Sequence, residues 1–60
     1  MSVQHLNHNI RAERIAIRDY EVFYADAVRK KEYRLARTIS HILAEERSHL
    51  MALNGYRRRK

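Results

Sequence analysis

Sixty residues with a formal charge of +6 and no cysteine allow one small domain and exclude most enzyme architectures, disulfide staples and thiolate metal sites. A chain this short buries only about 60% of its unfolded surface, and many such domains need a staple; without cysteines, a partner subunit, a metal or both are expected to supply it. No apolar run approaches the roughly 20 residues of a membrane span, and the leading MSVQHLNHN has no signal-peptide apolar stretch, so a cytoplasmic chain without membrane partners is expected.

Proline is absent and the sole glycine is Gly55, so nothing breaks a helix between about Val3 and Asn54. The first predicted element is a helix over about 3–29. Val3, Leu6, Ile10, Ile17, Tyr20, Tyr24 and Ala27 recur at spacings of three and four and form one apolar seam, interrupted only by Glu13. The charged run Arg29-Lys30-Lys31-Glu32 follows, read as a turn over about 30–33. One rod of more than 50 residues would lack apolar anchors at its centre, which favours a hairpin over a continuous helix. The second helix is predicted over about 34–54, with Leu35, Ile39, Ile42, Leu53 and Tyr56 as its seam and Glu46 and His49 in the two missing positions. Ile15, Val22, Val28, Leu43 and Leu50 widen the two faces. Asn54-Gly55 reads as a C-terminal stop, leaving a hairpin domain of 1–56 and a basic tail of 57–60, Arg57-Arg58-Arg59-Lys60. The fold class is therefore all-α, an antiparallel helical hairpin.

All three seam interruptions are metal-ligand types. Glu13 lies 18 positions before Lys31 and His49 lies 18 after it, with Glu46 one turn away from His49. A chain folded back near Lys31 therefore brings the three to one level, where charges at apolar positions must be paired or coordinated. A single hairpin cannot cover its own apolar face, so it is expected to homodimerise into a four-helix bundle. Two copies then place four carboxylates and two imidazoles in one core, a carboxylate-bridged dinuclear site. Its hard oxygen donors suit iron, two per dimer, or manganese, with zinc a weaker match. The alternative is a metal-free polar layer in which Glu13 pairs with His49 and sets the register.

Glu13, Tyr20 and the Glu46-Arg47-Ser48-His49 segment resemble the first half of the ferritin-like di-iron proteins, rubrerythrins in particular. There a metal glutamate precedes a tyrosine by seven residues and an E-x-x-H follows on the next helix. The likeness spans about residues 10 to 53. In having one helix pair rather than two, the chain is similar to encapsulated ferritins, where two short chains build the bundle and its inter-subunit iron site. The resemblance implies an oxidoreductase of the ferroxidase type that oxidises Fe(II) with O₂ or peroxide. It also implies Glu13, Glu46 and His49 as metal ligands, Tyr20 beside them, and residence in a protein-shell compartment.

The remaining polar residues have plainer readings. Glu21 and Glu45 flank the seams as solvated charges, His41 faces outward, and His5 and His8 are surface residues of the first turns. One glycine excludes a phosphate loop, and no oriented base accompanies Ser40 or Ser48. The competing function is a basic hairpin dimer that binds RNA or DNA, or serves as a regulatory protein-interaction module. Its nucleic-acid contacts would come from arginines including Arg11, Arg14, Arg18, Arg29, Arg34 and Arg37 and from the run Arg57, Arg58, Arg59 and Lys60.

Overall fold

The first helix begins where a serine can cap it. In a computed structural model, which describes residues 2–59, α1 spans Val3–Arg29 and α2 spans Tyr33–Arg59. No strand occurs among the described residues. Ser2 is extended, and its Oγ accepts a hydrogen bond from the His5 N–H at 3.1 Å, satisfying one of the four N–H groups that a helix start leaves without partners. Neither hydropathy pattern nor charge marked this cap.

The turn is narrower than expected and is built by the main chain. Lys31 adopts a left-handed φ of 60°. The Glu32 N–H then donates to the Ala27 carbonyl at 2.8 Å, and the Lys31 N–H donates to that of Val28 at 3.0 Å. This six-to-one and five-to-two pair satisfies the last carbonyls of α1 and reverses the chain. Asp26 reinforces it by pairing with Arg29 and, at 3.1 Å, with Lys30. The Glu32 carbonyl in turn accepts from the Ala36 N–H at 2.9 Å, starting α2.

The expected stop at Asn54-Gly55 is not one. α2 continues through both residues to Arg59, so the segment from 57, read as a tail, is helical as far as it is described. Gly55 has no positive φ. Glycine in a helix interior costs only about 1 kcal/mol relative to alanine, and the arginines beyond it are good helix formers. An interhelix hydrogen bond from Arg57 Nη1 to Asn7 Oδ1, at 3.4 Å, also ties this last stretch to α1.

The two helices lie antiparallel along their length, giving a body of 44 × 14 × 13 Å. The apolar interior is thin. Leu6 and Ile10 are buried towards the open end; Ala27, Ala36, Ile39 and Leu43 are buried towards the turn, with Ile17, Tyr20 and Leu35 packed against them. Ala27 and Ala36 flank the turn, and their small buried side chains leave little bulk between the helices there. The Glu13 and Glu46 level separates these two apolar groups. Val3, Tyr24 and Tyr56, expected in the seams, are exposed, as are Ile15, Val22 and Val28. A heptad repeat drifts by about 20° per seven residues against a straight helix, so the outermost seam positions, Val3 and Tyr56, rotate off the interface.

Candidate metal centre

Glu13 comes from the middle of α1, one turn beyond Ile10, on the face that meets α2. Glu46 and His49 are one turn apart on α2, so both side chains leave the helix on the same side. The antiparallel packing brings the three together: one ligand atom from each residue lies within 4.8 Å of the others. Glu13 and Glu46 are half-buried, whereas His49 is exposed. The imidazole thus lies at the mouth of the site in one hairpin, not within a closed core.

The electrostatics of the pair of carboxylates are unfavourable as they stand. Glu13 Oε2 is buried and meets no hydrogen-bond donor among the described residues. The Glu13 carboxyl is held above its ordinary pKa of 4.5, chiefly by the facing Glu46 carboxyl with which it would share a proton. Burial and the Glu46 negative charge push in the same direction, and His49 opposes them. Such a group is relieved either by a proton or by a cation. The donor set of two carboxylates and one imidazole fits a divalent first-row metal with a taste for oxygen. A groove of about 400 Å³ opens beside Glu13 and His49, lined also by Asn9, Ala12, Ala52 and Leu53. Small side chains at Ala12 and Ala52 leave the approach to the imidazole uncovered.

The other residues singled out in the sequence lie elsewhere. Tyr20 is half-buried against the apolar group beside the turn, a packing position. Glu21 is engaged by Arg47 of α2 at 2.9 Å and so forms an interhelix ion pair. Glu45, His5, His8 and His41 are exposed. Two asparagines near the site were not singled out as site residues by the sequence pattern. Asn9, one turn before Glu13, borders the groove, and Asn54 presents a buried Oδ1 without a hydrogen-bond partner among the described residues.

No protein-family description matches the chain, and no curated protein or solved structure matches it either.

Proposed function

We propose that two copies of this hairpin close into a four-helix bundle whose core takes two metal ions, iron fitting best, and that the assembly oxidises Fe(II) with O₂ or peroxide. The observation that carries this reading is the meeting of Glu13, Glu46 and His49 within 4.8 Å, with one buried carboxylate oxygen lacking a donor among the described residues. One chain offers three ligand groups, fewer than the six positions usual for an oxygen-preferring metal. A second chain doubles them, and four carboxylates then balance two divalent cations. Manganese and zinc compete for the same donors.

Three features support a second copy. The chain exposes 5092 Å², against about 4200 Å² for a compact monomer of its mass. Phe23 lies eleven residues, close to three full turns, beyond Ala12 and so continues the face of the groove. Ile42 and Tyr56 stand two turns on either side of His49 on that same face. Closing it would cover the imidazole and exclude water from the carboxylates.

In this reaction Fe(II) is the substrate: two ions give one electron each to O₂, which takes up two protons and leaves as hydrogen peroxide. The chain supplies geometry. Glu13 and Glu46 hold charge where it must be neutralised, and His49 adds a nitrogen donor. Elemental analysis of the purified protein and anaerobic Fe(II) titration test the reading. About one iron per chain is expected, with binding abolished in Glu46→Ala and His49→Ala and a chelator-sensitive rise in melting temperature. Unchanged uptake in these variants would remove the claim.

A further inference from the structure

A second constellation, sharing no residue with the Glu13 groove, runs from the open end of the hairpin to past the Glu13 level. Arg11, Arg14 and Arg18 recur at spacings of three and four along α1. Because α2 stays helical past Gly55, it delivers Arg57 and Arg58 beside Arg11 and Arg14. Three adjoining concavities of about 380, 270 and 220 Å³ join them: Arg14 lines all three, and Arg11 and Arg57 line two each. Among the described residues no acidic one lines any of the three, and none is shared with the Glu13 groove.

All five arginines are exposed. Among the described residues none of them has a carboxylate partner, whereas Arg29 and Arg47 each do. Arg57 is oriented by its bond to Asn7. Five uncompensated guanidinium groups repel one another in the free chain, and an anion with several phosphates relieves that repulsion. Their planar, forked donors match phosphate oxygens two at a time.

The shape selects among such anions. The concavities are shallow and run along the helix rather than enclosing a small ion. Arg11 to Arg18 covers about 10 Å at 1.5 Å per residue, close to three phosphates of one strand at about 3.4 Å each. Met51, exposed beside Arg14, Arg57 and Arg58, adds apolar surface for a sugar or base. We infer that this face binds the phosphodiester backbone of nucleic acid, without reading base sequence. The inference is independent of the metal reading, because the two sites have no residue in common.

Fluorescence anisotropy with a labelled DNA of about 20 nucleotides, single-stranded and duplex, titrated across salt concentration in the presence of EDTA, tests it. For the duplex the logarithm of affinity is expected to fall against the logarithm of salt with a slope of about −4 to −5, near 0.9 per engaged arginine. Combining Arg14→Ala with Arg57→Ala should reduce that slope by about 2 and weaken binding at least about tenfold at low salt. Pairing Arg34→Ala with Arg37→Ala removes the same charge outside the patch and should change affinity by less than about twofold. Arg14→Gln with Arg57→Gln, which keeps most of each stem, should reproduce the loss on a fold verified by circular dichroism. Absence of binding at low salt, or an equal loss from the Arg34 and Arg37 pair, would overturn the inference.

Discussion

At Glu13 a carboxyl group sits between an apolar interior and a second carboxyl, and its protonation is tied to folding. Its folded pKa lies above the ordinary 4.5, so the folded chain holds this proton more tightly than the unfolded one. The contribution is fully present below pH 4.5 and is lost as pH rises through the elevated folded value. Asp26 acts in the opposite sense: Lys30 first, then Arg29, holds its carboxyl below the usual 3.8, so its contribution disappears as pH falls. Glu13→Gln keeps the shape, removes the charge and offers an amide N–H to Glu46. Thermal melts with chelator should therefore show a higher melting temperature at neutral pH and a flatter profile above pH 4.5, and added metal should no longer stabilise the variant. A lower melting temperature would instead favour the metal-free ion pair between Glu13 and His49. These three residues were legible in the sequence because each interrupts an apolar seam. Asn54 was not, since an asparagine beside a glycine carries the same signal at a helix end as inside one.

Among the elements, the two helices and the turn between them could be read from periodicity and from a charged run without apolar anchors. The turn's conformation could not. A lysine occupies the left-handed position, which costs an L-residue about 1–2 kcal/mol. Lys31→Gly removes that cost while adding unfolded-state freedom, so urea denaturation should show a net gain of about 0.5–1 kcal/mol with an unchanged m-value. The far end of α2 was misread because glycine tolerates both the helix and its left-handed cap. The hydrogen bond from Arg57 to Asn7, which holds the helical continuation against α1, joins residues fifty positions apart. No local pattern reports a contact at that range. The frayed ends of the seams have a similar origin: a repeat of 3.5 laid on a helix of 3.6 is correct in the middle and wrong at Val3 and Tyr56.

Taken whole, the molecule is a rod with two unlike sides. Its radius of gyration is 13.8 Å, against about 10 Å for a compact domain of this length. One side carries the groove, Phe23, Ile42 and Tyr56; the other carries Ile15 and Val22 among Arg11 and Arg18, which recur along one stripe of α1. If a second copy covers the groove side, Phe23→Asp should shift sedimentation towards the monomer, while Val22→Asp, more exposed than Phe23 at 67% against 44%, should leave it unchanged. The arginine stripe has a further effect on such a pair. Every dimer would display its guanidinium groups outward and carry twice the +6 of one chain, so approaching dimers repel over about 10 Å at 0.1 M salt. Growth beyond such a pair would then be opposed by charge: the surface left over after pairing would be mutually repulsive at low salt, and a counter-charged polymer would bring the rods closer.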